Sequence, residues 1–275
     1  MLTDTSYAAL ARAAGLNVYF IAEGDRDGAV RVEECVPANP CCNCYSIAKL
    51  FTVTALGILY DRGLLSPETR LTDILPLRPA DERLGAVTLD QLLTHRAGLG
   101  ITLDIDCEDA SSFPRDYARL IFDTPLAYAP GTARKYTDAA FYLLARAAKA
   151  LCGEDPAGLL RAPLMNVMRF SEFAWSVCPL GCCMGATGLY LRTADMVKLG
   201  ILYLRGGDWF GTRIVSEEWV DLVFRRGYEL APLGNGWFGK GGMHGQMLAI
   251  SPQRTLAAAW HGYGAHGARK IFLGI

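Results

Sequence analysis

The stretch CCNCYSIAKLFTV, residues Cys41 to Val53, places a serine and a lysine at the start of an apolar helix. Ser46 and Lys49 stand three residues apart, and Lys49 is the only charged residue between Cys41 and Asp61. Burying an ammonium group costs several kcal/mol unless the group is paired or deprotonated. The stretch therefore predicts a lysine that either reaches solvent or has partners inside the protein.

The spacing of Ser46 and Lys49 suits nucleophilic catalysis. Residues three apart on a helix share a face, with Cβ atoms about 5–6 Å apart, so the lysine can reach the hydroxyl. Desolvation and the positive end of the helix dipole both favour a neutral lysine, which can take the serine proton. The backbone N–H of Ser46 is placed to bind an oxyanion. In the alternative, Ser46 caps the helix and Lys49 extends to solvent, and the pair alone favours that alternative.

Two further motifs follow this S-x-x-K pair. YTD, residues 136–138, opens an apolar helix after a Pro-Gly turn, and KGG, residues 240–242, lies on a C-terminal strand. Two longer stretches precede them, VTLDQLLTHRAGLG at 87–100 and MGATGLYLRTADMVKLGILYL at 184–204. In this order the features resemble the serine β-lactamase and penicillin-binding-protein superfamily, most closely its class C β-lactamase-related branch. That branch includes esterases and D-amino-acid peptidases, and the resemblance covers nearly the whole chain.

The resemblance assigns the chemistry to three side chains. Ser46 is the implied nucleophile that forms an acyl-enzyme, and Lys49 orients and activates it. Tyr136 is the implied second general base and acid, which passes protons to the leaving group and from water. The alternative for Tyr136 is an aromatic side chain that packs at the helix entry.

The resemblance also implies a substrate-binding edge on the KGG strand. Lys240 adds positive charge near the tyrosine and attracts a carboxylate-bearing substrate, while Gly241 and Gly242 allow close backbone approach. The N–H of Met243 is the implied second oxyanion donor, and His244 is a candidate substrate contact. The alternatives are a solvated lysine at 240 and a solvent-facing histidine at 244.

The sequence departs from the family pattern at two positions. Asp138 stands where β-lactamases typically have an asparagine, and an ionised carboxylate accepts hydrogen bonds but cannot donate them. A carboxylate there would keep Lys49 and Lys240 protonated, which shifts the role of base toward Tyr136 and away from efficient β-lactam hydrolysis. Gly241 replaces the usual threonine or serine, so a hydroxyl that would bind the substrate carboxylate is missing.

The composition is that of a globular protein. The 275 residues are 51 % apolar and 20 % charged, with a formal net charge of −1. No stretch concentrates Lys and Arg, so neither nucleic acid nor a membrane surface is an expected partner. We expect a small-molecule substrate and a monomer or weak homo-oligomer.

The first residues give no targeting signal. Asp4 stands where a signal peptide needs basic residues. The uncharged run Leu50–Tyr60 is about half of the roughly 20 residues that a membrane helix needs. A cytoplasmic location is therefore expected for the chain as it stands.

Nine cysteines are many for this length. Three interpretations stand: a zinc site, a disulfide between the clusters CCNC and GCC, or small buried thiols in a reducing compartment. The four histidines lie far from the clusters in sequence, so no metal and no cofactor are predicted. The cysteines are Cys35, Cys41, Cys42, Cys44, Cys107, Cys152, Cys178, Cys182 and Cys183.

The element pattern predicts an α/β (α+β) fold. An opening helix capped by Asp4 or Thr5 and stopped at Gly15 precedes a strand hairpin, and a second helix runs from about Ser46 to Arg62, with Gly63 as its stop. Three short strands end the chain, and helices fill the middle. We expect a β-lactamase/transpeptidase-like domain, with a sheet part formed by residues 1–63 plus 186–275 and a helical part formed by 64–185.

The predicted function is that of a serine hydrolase that acts through an acyl-enzyme on a small ester or amide, with carboxylesterase activity favoured. A D-amino-acid amidase or D,D-peptidase and a β-lactamase are the alternatives within the enzyme class. A binding or sensor protein that holds an acyl ligand without turnover is the alternative of another class.

Overall fold

A computed structural model describes residues 6–103 and 114–275. Its helices are α1 (Tyr7–Ala13), α2 (Ala48–Asp61), α3 (Leu71–Ile74), α4 (Leu89–Leu93), α5 (Tyr117–Asp123), α6 (Asp138–Cys152), α7 (Pro156–Leu160), α8 (Thr193–Leu204), α9 (Glu217–Arg226) and α10 (Ala268–Leu273). Its strands are β1 (Val18–Asp25), β2 (Val30–Glu34), β3 (Cys41–Asn43), β4 (Phe173–Trp175), β5 (Leu189–Arg192), β6 (Asp208–Trp209), β7 (Thr212–Arg213), β8 (Ala231–Gly234), β9 (Trp237–Gly241), β10 (Met247–Ser251) and β11 (Leu256–Gly262).

The main sheet is assembled from both ends of the chain, as the sequence predicts. Its six strands run in the order β2-β1-β11-β10-β9-β8, and its pairings are antiparallel. Ile21 of the first strand lies opposite Trp260 of the last. The N-terminal hairpin therefore closes onto the C-terminal strands, and the α+β class is confirmed.

Helices cover both faces of this sheet. On one face, α8 packs against β1, β10 and β11. A Cβ added to Gly200 would lie 2.7 Å from the Cβ of Ala257, so this glycine lets the helix approach closely. On the other face, Val18, Ile21 and Trp260 pack with α1 and α10 in a separate apolar cluster. The alternation of strand side chains thus separates two cores.

Helix α2 is the centre of the larger core. Its residues 48–59 are all buried, and it packs against α6, α7 and α9. A Cβ on Gly57 would lie 2.4 Å from Trp219, whose indole N–H donates to the carbonyl of Val53 at 3.2 Å. Because the helix is enclosed on all sides, its apolar residues do not form a single stripe.

Several element boundaries differ from the sequence prediction. The first helix is capped by Ser6, whose hydroxyl accepts from the Ala9 N–H at 3.3 Å; Asp4 and Thr5 lie outside the described residues. Ser46 belongs to a 3₁₀ turn, Tyr45–Ile47, that precedes α2, so it is not the helix cap.

The strands that the sequence does not reveal are two to four residues long. Strands β3, β5 and β4 form a second sheet, and β6 and β7 form a third. Strand β8 adds a fourth C-terminal strand at the sheet edge, where Pro232 is tolerated. Such short runs carry too few alternations to be recognised.

No helix in residues 6–103 or 114–275 has the length and apolar character required to cross a membrane. The division into a sheet part and a helical part stays a prediction.

Candidate active site

Ser46 is held just before α2 by hydrogen bonds of the two residues that precede it. The Cys44 N–H donates to the carbonyl of Leu189 at 2.8 Å, and the Tyr45 N–H donates to Asn43 Oδ1 at 2.8 Å. Tyr45 has a φ of 48°, in the left-handed region that non-glycine residues rarely adopt. Strained backbone of this kind persists where the surroundings over-determine it, which often happens at functional sites.

Lys49 keeps its charge among apolar neighbours because its ammonium group is paired inside the protein. Its side chain is fully buried, and its ammonium group has three partners. Nζ donates to Ser46 Oγ at 3.1 Å and to the carbonyl of Ala186 at 2.9 Å, and it lies 2.6 Å from Asp138 Oδ1. The solvent-reaching alternative is therefore wrong, because a buried ammonium with all its donors used needs no water.

The stretch 184–204 supplies the carbonyl beside Lys49. Thr52 Oγ1 donates to the carbonyl of Gly185 at 2.7 Å, which fixes the loop against α2. Gly185 has a φ of 66°, and a Cβ there would lie 2.6 Å from the carbonyl oxygen of Phe141. Only glycine fits this position, and the next residue, Ala186, then points its carbonyl at the lysine.

Tyr136 lies on the other side of Ser46. Its hydroxyl donates to Ser46 Oγ at 2.9 Å and accepts from Lys240 Nζ at 3.1 Å. The Nζ atoms of Lys49 and Lys240 lie 4.8 and 4.6 Å from the centre of its ring. The ring is 39 % exposed, so the alternative of a packed core aromatic does not hold.

Asp138 opens helix α6 directly after Tyr136. Thr137 caps the helix, with its hydroxyl accepting from the Ala139 N–H at 3.2 Å. A carboxylate in the first turn is favoured by the helix dipole. The local sequence therefore places Tyr136 and Asp138 on either side of the cap, one toward Ser46 and the other toward Lys49.

Lys240 projects from β9 and is mostly buried, with 12 % of its side chain exposed. Besides Tyr136, it pairs with Glu229 in a close ion pair. Burial lowers the pKa of Lys240, but the Glu229 carboxylate and, after it, the Tyr136 oxygen together outweigh burial and raise the pKa above its usual value. The alternative of a solvated strand lysine is therefore wrong.

Glu229 and His95 complete the site, and sequence reasoning identifies neither. Glu229 Oε1 lies 2.5 Å from His95 Nε2, and the Thr137 N–H donates to His95 Nδ1 at 3.4 Å. These bonds assign the ring proton to Nε2. Burial raises the pKa of Glu229, but the charge of Lys240, the hydrogen bond from His95 and the charge of Lys49 outweigh burial and bring the pKa to about 2. His95 lies in the 87–100 stretch, so the family resemblance of that stretch could have indicated this residue, whereas Glu229 belongs to no motif.

The strand end after Lys240 approaches the Ser46 turn. A Cβ on Gly242 would lie 2.8 Å from the carbonyl oxygen of Cys44, so backbone packs on backbone here. The N–H groups of Gly242 and His244 donate to the backbone and side chain of Gln246, at 2.9 and 3.0 Å. The Met243 N–H between them has no acceptor within the described part of the chain, and its role as an oxyanion donor stays a prediction.

His244 is packed rather than solvent-facing. Its ring lies 4.9 Å from the ring of Tyr45 and stacks on Tyr263 at 4.3 Å. A Cβ on Gly241 would lie 3.3 Å from Met247 Cε, so a side chain there would require Met247 to shift slightly. A substrate contact for His244 stays a prediction.

A cleft of about 820 Å³ adjoins the third motif. Lys240, Gly241 and Gly242 form part of its wall, and Glu229 is the only carboxylate among its described lining residues. Arg226 in this wall is already paired with Asp90. The other arginines that line the cleft are Arg96, Arg134 and Arg269.

The contacts form one chain of polar groups around Ser46. In order, they are Asp138, Lys49, Ser46, Tyr136, Lys240, Glu229 and His95. The ammonium groups of Lys49 and Lys240 are paired with two carboxylates, so the charges of the site balance. The Ser46 hydroxyl accepts hydrogen bonds from both Lys49 and Tyr136. Such a group can transfer an acyl fragment, with the phenol oxygen moving protons.

The cysteines take no part in this chain. The eight described cysteines are free thiols, so the disulfide suggested between the two clusters is not formed, and Cys107 lies outside the described residues. Cys44 Sγ lies 3.5 Å from His261 Nε2. Burial raises the pKa of the Cys44 thiol, and it lowers the pKa of His261 to about 4. Across residues 6–103 and 114–275, no three potential metal ligands cluster.

Comparison with solved structures shows the fold. A Bacillus anthracis protein assigned as a 6-aminohexanoate-dimer hydrolase superposes with a TM-score of 0.79 at 16 % identity, covering 98 % of this chain and 80 % of that one. A family VIII carboxylesterase superposes with a TM-score of 0.75 at 16 % identity, covering 93 % and 89 %.

Comparison with curated proteins and family models shows the family. Penicillin-binding protein 4 of Amycolatopsis lactamdurans is 28 % identical over 123 residues, which make up 44 % of this chain and only 32 % of that protein. The beta-lactamase family model matches residues 12–269, nearly the whole chain. This protein belongs to the beta-lactamase family.

Proposed function

We propose that this chain is a serine hydrolase that forms an acyl-enzyme on Ser46 and cleaves a small ester or amide, with esters preferred. The observation that carries the proposal is the position of Ser46 Oγ, 2.9 Å from Tyr136 Oη and 3.1 Å from Lys49 Nζ. A hydroxyl in contact with a cation and with a phenol oxygen that can take its proton once ionised is placed to become a nucleophile.

In the acylation step, Ser46 Oγ attacks the acyl carbon while its proton passes to the phenolate form of Tyr136. The oxyanion is held by the N–H groups of Ser46 and Met243. Tyr136 then donates the proton to the leaving oxygen or nitrogen as the bond to the acyl carbon breaks.

In the deacylation step, water attacks the acyl-enzyme and gives its proton to Tyr136. The bond between the acyl carbon and Ser46 Oγ breaks, and the proton returns to the serine. The two ammonium groups beside the ring, on Lys49 and Lys240, stabilise the negative charge that Tyr136 carries in both steps.

The preference for esters over β-lactams rests on Asp138. Its carboxylate already pairs with Lys49 at 2.6 Å and has no proton to donate to an acylamide carbonyl. An ester makes no such demand, because its acyl group carries no side-chain amide. Hydrolysis of a small amide through the same acyl-enzyme is the alternative.

Steady hydrolysis of 4-nitrophenyl butyrate by purified protein tests the proposal. We expect turnover that Ser46→Ala reduces to the uncatalysed rate, and one fluorophosphonate adduct on Ser46 by peptide mass mapping. Ser171→Ala, a change at an exposed serine far along the chain, should leave both unchanged. Equal turnover by Ser46→Ala would contradict the proposal, and an adduct without turnover would favour the binding or sensor alternative.

A further inference from the structure

Glu229 is a buried carboxylate that no motif explains. It is 7 % exposed, and both of its oxygens are used: Oε1 faces His95 Nε2 at 2.5 Å, and Oε2 pairs with Lys240 Nζ. A buried carboxylate is costly unless it is paired and hydrogen-bonded on both oxygens. The contacts therefore account for how the charge is tolerated.

The backbone at Glu229 points to a role for its side chain. Glu229 has a φ of 59° and His95 has a φ of 56°, both in the left-handed region that glycine adopts without strain. A glycine at 229 would relieve this strain but would remove the partner of Lys240. Strain that a simpler residue would avoid marks a position where the side chain is needed.

The position of Lys240 depends on this carboxylate. Lys240 Nζ donates to Tyr136 Oη at 3.1 Å, and the His95 ring lies 4.5 Å from the Tyr136 ring. Glu229 thus connects two of the groups that touch Tyr136, Lys240 and His95. Burial alone would favour the neutral amine at Lys240, and the Glu229 carboxylate is the largest of the influences that reverse this preference, ahead of the Tyr136 oxygen.

We propose that Glu229, held by His95, is a positioning residue that fixes Lys240 on the Tyr136 hydroxyl and keeps it an ammonium group. The inference rests on the proposed function of Ser46 and Tyr136. Glu229 touches no reacting atom and acts through Lys240. Its loss misplaces the cation that stabilises the phenolate, and it allows Lys240 to lose its proton within the working pH range.

The charged groups around Lys240 and Tyr136 come from every element packed against them. They are Lys49 of α2, Asp138 of α6, His95 after α4, Glu229 before β8 and, across the cleft, Arg96, Arg134, Arg226 and Arg269. Glu229 is the only carboxylate among them that contacts Lys240. Its removal therefore takes away the only carboxylate partner that Lys240 has among these groups.

The pH dependence of Ser46 phosphonylation by a fluorophosphonate tests the inference without a known substrate. In Glu229→Gln we expect the alkaline limb of the rate profile to move down by about one pH unit or more, because the ammonium loses its partner. We also expect the maximal rate to fall on the order of 10²-fold, the cost of misplacing a catalytic group by about 1 Å. Glu229→Asp keeps the negative charge, so the alkaline limb of the rate profile should return to its position in the unaltered protein. The maximal rate should stay reduced, because the shorter side chain still misplaces Lys240.

Two controls separate this role from a structural one. Glu229→Gly removes the strain, so a purely backbone role predicts full activity, whereas the inference predicts a rate as low as in Glu229→Gln. Glu218→Gln, which alters an exposed carboxylate bonded to Tyr60, should leave the profile unchanged. An unmoved alkaline limb in Glu229→Gln, or a fully active Glu229→Gly, would overturn the inference.

A readout that needs no reaction keeps the two proposals apart. In protein labelled with ¹³C at lysine Cε, the Lys240 resonance, identified by Lys240→Arg, should titrate at lower pH in Glu229→Gln than in the unaltered protein. Absence of phosphonylation in the unaltered protein would contradict the proposed function alone. An unchanged Lys240 titration would contradict the inference alone.

Discussion

Replacement of Asp138 by asparagine probes how the site holds its buried lysine. Lys49 is fully buried and Asp138 is 23 % exposed, with Nζ and Oδ1 2.6 Å apart. Removing one partner of a buried ion pair costs about 3–5 kcal/mol. The asparagine oxygen retains a hydrogen bond worth about 1 kcal/mol, and partial exposure reduces the cost further, so we expect a loss of about 2 kcal/mol in the free energy of unfolding.

The same replacement should alter substrate preference. The asparagine amide can donate to the acylamide carbonyl of a penicillin, which the carboxylate cannot. One added hydrogen bond of about 1.4 kcal/mol predicts a rise of about tenfold in the ratio of penicillin to ester kcat/KM. The two measurements are urea unfolding followed by circular dichroism at neutral pH, and parallel kinetics on 4-nitrophenyl butyrate and benzylpenicillin.

Asp73→Asn is the matched control, because Asp73 is an exposed carboxylate in the first turn of α3. It should change neither the unfolding midpoint nor the ratio of rates. If Asp138→Asn likewise changes neither quantity, then the carboxylate does not hold Lys49 and does not limit β-lactam hydrolysis.

Three further changes probe neighbouring contacts. Burial raises the pKa of the Glu229 carboxyl, but the adjacent ammonium and imidazole lower it from 4.5 to about 2, and each unit is worth about 1.36 kcal/mol. Its charge therefore adds about 3 kcal/mol to the free energy of unfolding above pH 4.5, and this stability is lost as pH falls through about 2. The free energies of unfolding of the unaltered protein and of Glu229→Gln should therefore become equal at acid pH. A difference between them that does not change with pH would contradict this. Tyr136→Phe should lower kcat on the order of 10²-fold or more without lowering the unfolding midpoint, and an active variant would exclude the proton role. Gly185→Ala places a Cβ 2.6 Å from the Phe141 carbonyl at a φ of 66°, whereas Gly181→Ala has a φ of 64° and nothing within 4 Å. Urea unfolding should show a larger loss of stability for the change at 185. Equal losses would mean that backbone strain alone, and not the close contact, causes them.

Five of the six strands of the main sheet are readable from sequence because they are five to eight residues long and show a pattern, whereas β8 is too short. In the run Val18–Asp25, Ile21 faces one core and Ala22 faces the other, and the PQR turn marks where β10 returns to β11. By contrast, β3 and β4 have three residues each, and they form only because β5 lies between them. Their pairing depends on tertiary contacts, which local pattern does not encode.

Part of the candidate site could likewise be predicted from local sequence, and part of it could not. Ser46 and Lys49 lie three residues apart, and Tyr136 and Asp138 lie two apart, so their spacing is visible as motifs. The bond between His95 and Glu229 joins residues 134 positions apart. Glu229 sits in a loop between α9 and β8 with no periodicity, and no property of its neighbours in sequence indicates a buried carboxylate.

Burial also explains why Lys49 resists interpretation from sequence alone. An S-x-x-K pair is compatible with a capped helix and a solvated lysine, and local propensity favours that reading. The decision comes from Ala186 and Asp138, which are 137 and 89 positions away and supply the lysine's remaining acceptors. The long-range contacts thus settle what the local pattern leaves open.

The acyl-enzyme itself is the most direct test of the account. Protein mixed with excess 4-nitrophenyl butyrate, quenched in acid within the first turnovers and analysed by intact mass and peptide mapping, should carry one butyryl group on Ser46. The adduct should be absent in Ser46→Ala and should decay as butyrate is released. Turnover with no acyl group on Ser46, or an acyl group on another residue, would contradict the assignment of Ser46 as the nucleophile.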